Sequence, residues 1–75
     1  MNNLYLIKRK DEIGWDEYCG FVISAKTPRE ARQTASHRAC DEGFETWLSS
    51  DLSSCQKIGT THRRPGILLD SFNAG

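Results

Sequence analysis

Two groups of side chains in this sequence have the types and spacing to do chemistry. The first is Asp11-Glu12-Ile13-Gly14-Trp15-Asp16-Glu17-Tyr18, with four carboxylates and two large aromatic rings in eight residues. Trp15 and Tyr18 can anchor a partner protein while Asp16 and Glu17 steer it by its basic surface. The alternative is that Trp15 folds over the open edge of a small core and the acids are solvated. General acid–base catalysis needs two carboxylates that face one point from different environments. Asp16 and Glu17 are adjacent, and on a strand they project to opposite sides.

The second group is His62-Arg63-Arg64, which Lys8-Arg9-Lys10 and Arg29, Arg32 and Arg38 could join. A guanidinium presents a planar fork that matches phosphate. Converging, these cations would suit nucleic acid or an acidic protein, with Trp15 or Tyr5 available to stack on bases. Dispersed, they make an ordinary charged turn and a solvated helix face. The partner-binding candidates are therefore Trp15, Asp16, Glu17, Tyr18, Arg63 and Arg64.

Other reactive types are scattered. His37 and His62 sit in no Ser-His-Asp or HxxxH arrangement. Cys19, Cys40 and Cys55 are too widely and irregularly spaced for a zinc knuckle and are odd in number, so they read as reduced thiols. The glycines form no phosphate-binding loop. No catalytic residue, metal ligand or cofactor is expected.

The elements that position these groups are short. Leu4-Tyr5-Leu6-Ile7 opens a strand, and Tyr18 to Ala25 makes a second, with Cys19, Phe21, Ile23 and Ala25 on one side and Tyr18, Gly20, Val22 and Ser24 on the other. The connection between them lacks a helical pattern, which favours an antiparallel hairpin. Thr27-Pro28-Arg29-Glu30 then starts a helix. Thr27 caps the amide of Glu30, Glu30 reaches back to the amide of Thr27, and Pro28 takes the first helical position, where no donor is missed. Ala31, Ala35 and Ala39 give that helix a narrow stripe for close approach to a sheet, while Arg29, Arg32, Gln33 and Ser36 face water. It runs to about Asp41, with Gly43 as its stop.

Phe44 to Ser54 reads as loop or a short helical turn, with its aromatics plugging the end of the sheet. Cys55 to Gly59 is a third strand, Thr60 to Gly66 a polar turn, and Ile67 to Phe72 a last strand. There Ile67, Leu69 and Ser71 alternate against Leu68, Asp70 and Phe72. This last strand either completes the sheet or offers an edge to a partner. The expected fold class is α+β, a small antiparallel sheet in the order ββαββ with one helix on one face.

Seventy-five residues with 37% hydrophobic content make a single domain over residues 1–75 with a thin core, for which self-association would be a remedy. Ten basic and ten acidic side chains cancel, which leaves no global field to mark a nucleic-acid or membrane binder. No signal-peptide pattern opens the chain, and no apolar run approaches the ~20 residues of a membrane span. A soluble intracellular protein, monomer or homodimer, is expected.

Leu4-Tyr5-Leu6-Ile7, Trp15-Asp16-Glu17-Tyr18 with Phe21-Val22, Glu30-Ala31-Arg32, Gly66-Ile67-Leu68-Leu69 and Ser71-Phe72-Asn73-Ala74-Gly75 together resemble small bacteriophage and prophage proteins. The opening Asn3-Leu4-Tyr5-Leu6-Ile7 and the strand-to-helix layout are also similar to small type I anti-CRISPR proteins. The resemblance implies a non-enzymatic inhibitor in the host cytoplasm that masks a host protein complex such as a CRISPR-Cas effector. It carries over no binding residue. The balanced charge departs from the strongly acidic inhibitors that mimic DNA. The other reading is a small nucleic-acid-binding or regulatory module that uses the helix arginines with Arg63 and Arg64.

Overall fold

A computed structural model describes residues 1–10, 17–40 and 42–73, with residues 72 and 73 described by backbone alone. Its elements are β1 (Asn2–Arg9), β2 (Glu17–Ala25), α1 (Pro28–His37), α2 (Glu45–Leu48), β3 (Ser53–Thr61) and β4 (Gly66–Asn73). The four strands form one antiparallel sheet in the order β3-β1-β2-β4. The expected ββαββ layout is present, with α2 as a further single turn of helix.

The central pair is β1 with β2, in which Tyr5 faces Ile23 and Ile7 faces Phe21. Residues directly opposite share a face of the sheet. These four side chains, with Ala25, are buried against Ala31 and Ala35 of α1 and Trp47 of α2. Small side chains at 31 and 35 let the helix axis approach closely enough for Phe21 and Trp47 to fill the remaining space. Their rings meet edge to face with centroids 4.8 Å apart, the arrangement that sets ring edge against ring face.

The Thr27 hydroxyl accepts from the Glu30 amide at 3.1 Å, as the cap pattern predicts. The Glu30 carboxylate accepts instead from the Lys26 amide, at 3.2 Å, one residue earlier than expected. The first turn is thus closed from outside the cap as well as from within. The helix also ends sooner than expected, at His37. Arg38 is its C-cap, and the Arg38 amide donates back to Ala35 O and Ser36 O. Gly43, with φ of 83°, turns the chain after Cys40 and so precedes α2.

Three one-residue irregularities reset which side chains face the core. Tyr18 pairs with Phe72 and Gly20 with Ser71, so Cys19 is an extra residue on β2. This β-bulge puts Tyr18 on the core side with Phe21, at 5.0 Å between ring centroids, and corrects the expected grouping of Cys19 with Phe21. Leu68 is extra on β4, which places Ile67 opposite Ile23 but Leu69 opposite Val22, so Ile67 and Leu69 do not share a face. Ile58 is extra on β3, between the partners of Leu4 and Tyr5.

The two edge strands are joined by residues 62–65, which must pass across the ends of both central strands. A crossing takes the place of a hairpin turn. The Arg63 carbonyl fastens it there, accepting from Asn2 Nδ2 at 2.9 Å and from Ser24 Oγ at 3.2 Å. Ser24 is fully buried beneath it.

Candidate functional site

Each expected site residue has a definite place or falls outside the description. Trp15 and Asp16 lie outside the described residues. Glu17 bonds Arg9, Oε1 to Nη1 at 2.8 Å, and the Arg9 side chain is only 3% exposed. The Tyr18 ring is part of the core, its hydroxyl accepts from Arg38 Nε at 3.2 Å, and its amide donates to Glu42 Oε1 at 3.3 Å. Both side chains thereby contribute to the scaffold. Arg63 and Arg64 are exposed in the crossing between β3 and β4.

These groups do not converge. Glu17 begins β2, and Ser24, next to its last residue, lies beneath Arg63. Seven residues at ~3.3 Å per residue separate Glu17 from Ser24 by about 23 Å.

The expectation that Arg32 and Ser36 face water is overturned. Arg32 Nη1 donates to Trp47 O at 3.0 Å, Ser49 O at 3.2 Å and Ser53 Oγ at 2.8 Å, and Nη2 donates to Ser53 O at 3.0 Å. The guanidinium ties α1 and α2 to β3 because its fork supplies several donors to carbonyls that have turned inward. Ser36 is buried and donates to Gln33 O at 2.6 Å. Arg38 bonds Tyr18 and reaches Asp70 at 3.4 Å, and these contacts raise its pKa further above the usual guanidinium range, the Tyr18 hydrogen bond most. Of the helix arginines, Arg29 alone has no such contact described among them, so the grouping needed to hold phosphate does not form on α1.

The surface left over is the sheet face opposite the helices. Leu4, Leu6 and Lys8 of β1 point to it, with Val22 and Gly20 of β2 opposite Leu6 and Lys8, and Leu69 and Ser71 of β4 beyond them. Gln56, Leu6, Val22 and Leu69 form a single row across all four strands, about 14 Å wide at the usual strand spacing. Leu69 is 66% exposed, and Leu4, Leu6 and Val22 are half-buried. An open depression of about 320 Å³ lies there, lined by Leu6, Lys8, Gly20, Val22, Leu69 and Ser71 among others.

Gly20 creates that depression. A Cβ at this position would lie 2.8 Å from the carbonyl oxygen of Ile7, which belongs to the backbone of the neighbouring strand. The site therefore needs glycine, and its missing side chain leaves a notch between Lys8 and Ser71.

Reasoning from motifs passes over this face because it contains no reactive cluster. A signal for it is nevertheless present. Leu4-Tyr5-Leu6-Ile7 is apolar at both odd and even positions, and a half-solvated strand alternates with polar residues instead. The even positions, Leu4 and Leu6, face away from both helices, and among the described residues only the crossing over Ser24, the partner of Leu4, lies on that side.

A second depression, between α1 and α2, is lined by Gln33, Ser36, His37, Phe44 and Leu48. Phe44 is 60% exposed there, so of the two aromatics expected to plug the sheet only Trp47 does so. Among the described residues no group of three or more His, Cys, Asp or Glu could hold a metal ion. No helix is long and apolar enough to cross a membrane, again among the described residues. Comparison with known protein families, curated proteins and solved structures finds no match to the chain.

Proposed function

We propose that the chain is a non-enzymatic binding protein that docks a partner protein on the open sheet face and acts by occupying a surface of that partner. The observation that carries this reading is the aliphatic row Leu6-Val22-Leu69 with Leu4 beside it, which faces away from both helices and is covered by no further layer among the described residues. A sheet face of aliphatic side chains gains free energy when another surface removes it from water. The depression is open and mostly apolar, and small-molecule catalysis is usually housed in a concave enclosure with convergent polar groups.

The resemblance to phage proteins supplies the narrower form of the proposal. The partner is then a host protein complex, a CRISPR-Cas effector in the leading version, masked stoichiometrically in the host cytoplasm. A second reading is favoured by the exposure of Arg63 and Arg64, which could hold nucleic acid.

Affinity capture from host lysate, with the wild-type chain and with Leu69→Lys, tests the proposal. The substituted side chain is mostly solvent-exposed, so circular dichroism should be unchanged. The wild type should recover a discrete complex that survives nuclease treatment, and Leu69→Lys should not. Equal capture by both proteins would remove the open face from the reading. Capture that disappears with nuclease would favour the nucleic-acid module.

A further inference from the structure

We propose that the occupant of the open face is an acidic amphipathic helix of the partner, lying across the strands with carboxylates on both flanks of its apolar stripe. This rests on the docking reading above and adds the chemistry of the partner.

Both signs of charge occur on the helix side, where Arg29, Arg32 and Arg38 stand with Glu30, whereas the described charges that flank the open row are cations. Along the strand direction, exposed Lys8 stands one same-face position beyond Leu6 on one side of the apolar row. On the other side, past Leu4, the crossing segment carries exposed Arg63 and Arg64 over the ends of β1 and β2. Of the residues with described carboxylates, Asp70 alone lines the depression. Glu30 is on α1, Glu42 and Glu45 are at α2, and Asp51 follows α2. Glu17 is held by Arg9, and Asp70 is held by Arg38. Among the described residues the apolar row is thus bordered on two opposite sides by cations; Asp11, Glu12, Asp16 and Asp41 lie outside the described residues.

A helix fits that pattern better than a strand or a polynucleotide. The cations flank the row along the strand direction, whereas a strand added at β3 or β4 would lie beside an edge. A helix about 10 Å across, laid along the row, brings residues on both sides of its apolar stripe toward the two cationic borders. Stacking of bases requires aromatic faces. Among the described residues the row is aliphatic, and the rings of Tyr5, Tyr18, Phe21 and Trp47 are in the core on the opposite face.

The test is an NMR titration of the ¹⁵N-labelled chain with two synthetic peptides of about 18 residues, long enough for some five helical turns. Both carry a leucine stripe, flanked by glutamate in one and by lysine in the other. The glutamate peptide should shift the amides of Leu6, Val22 and Leu69. Combined Lys8→Glu, Arg63→Glu and Arg64→Glu should weaken it about tenfold, a loss of ~1.4 kcal/mol, and should strengthen the lysine peptide. All three positions are exposed, and retained dispersion of the amide spectrum shows that the variant is folded. Equal binding of the two peptides would overturn the acidic helix, as would shifts confined to Phe44 and Leu48 or to the outer edge of β4. Displacement of the glutamate peptide by an oligo-dT strand would overturn it in favour of nucleic acid. Loss of lysate capture in Leu69→Lys together with equal peptide binding would leave docking standing and remove only the partner's charge.

Discussion

Arg32 and Ser53 are joined twice, by Nη1 to the hydroxyl at 2.8 Å and by Nη2 to the carbonyl at 3.0 Å. One helix side chain thereby fixes where an edge strand begins. The same guanidinium holds Trp47 O and Ser49 O, so a single group satisfies acceptors from α2 and from the turn after it.

Arg32→Ala should destabilise the fold by about 2–4 kcal/mol, because several inward-facing acceptors lose a charged donor at once. Arg32→Lys should recover only part of this, since an ammonium cannot span the hydroxyl and the carbonyl as a planar fork does. Urea denaturation followed by far-UV circular dichroism measures both. A lysine variant as stable as the wild type would contradict the bidentate role.

Glycine replacements at two strand positions should separate in sign. Gly20→Ala sets a Cβ against the Ile7 backbone and should cost about 1–3 kcal/mol through a forced strand shift. Gly59→Ala meets nothing nearer than Leu4 Cδ1 at 4.0 Å. It should stabilise by about 0.5 kcal/mol, because alanine has less unfolded-state freedom to lose. Thermal melts of the two variants compare them directly.

Glu42 organises the region behind Trp47. Its Oε2 accepts from Trp47 Nε1 at 2.7 Å, and its Oε1 accepts from the amides of Cys40 and Tyr18. Glu42→Ala should cost about 2–3 kcal/mol by leaving the buried indole donor unsatisfied. Glu42→Gln, which keeps only one acceptor oxygen, should cost less. Paired denaturation curves give the order.

The three thiols should differ in reactivity. Cys40 is exposed, Cys19 and Cys55 are partly covered, and burial pushes the Cys55 thiol up despite the opposing pull of Arg32. Thiolate is the reactive form, so iodoacetamide at mildly alkaline pH should label Cys40 first and Cys55 last. The linkage has a definite sign. A thiol whose folded pKa is raised gives its full stabilisation below the unfolded pKa and loses it as pH rises through the folded value. Stability in Cys55→Ser should therefore fall less steeply at alkaline pH than in the wild type. Peptide mass mapping and pH-dependent melts provide the two readings.

The start of α1 was legible because every part of the signal is local, from Thr27 and Pro28 to Glu30. The hairpin of β1 and β2 was legible from the short connection and the apolar alternation. What escaped depends on partners distant in the chain. The bulges at Cys19, Ile58 and Leu68 arise from pairing with another strand, and each shifts the side chains beyond it to new faces. Arg32 reads as solvent-facing because its acceptors at 47, 49 and 53 come from another part of the fold. Of the binding candidates, Glu17 and Tyr18 were visible as types, but their engagement with Arg9 and the core requires the folded sheet. Leu4 and Leu6 were visible as strand residues and carried a hint of two buried faces, yet only the side of the folded sheet they take, away from both helices, identifies a surface.

The crossing at Arg63 makes neighbours in sequence out of the two outermost strands. In most small sheets each margin can fray independently, but here β3 and β4 belong to one continuous stretch pinned at its middle by Asn2 and Ser24. Breaking that pin releases both sides together. Native-state hydrogen exchange should consequently find the amides of the two margins opening as one cooperative unit, with the β1–β2 hairpin surviving to higher free energy at the centre.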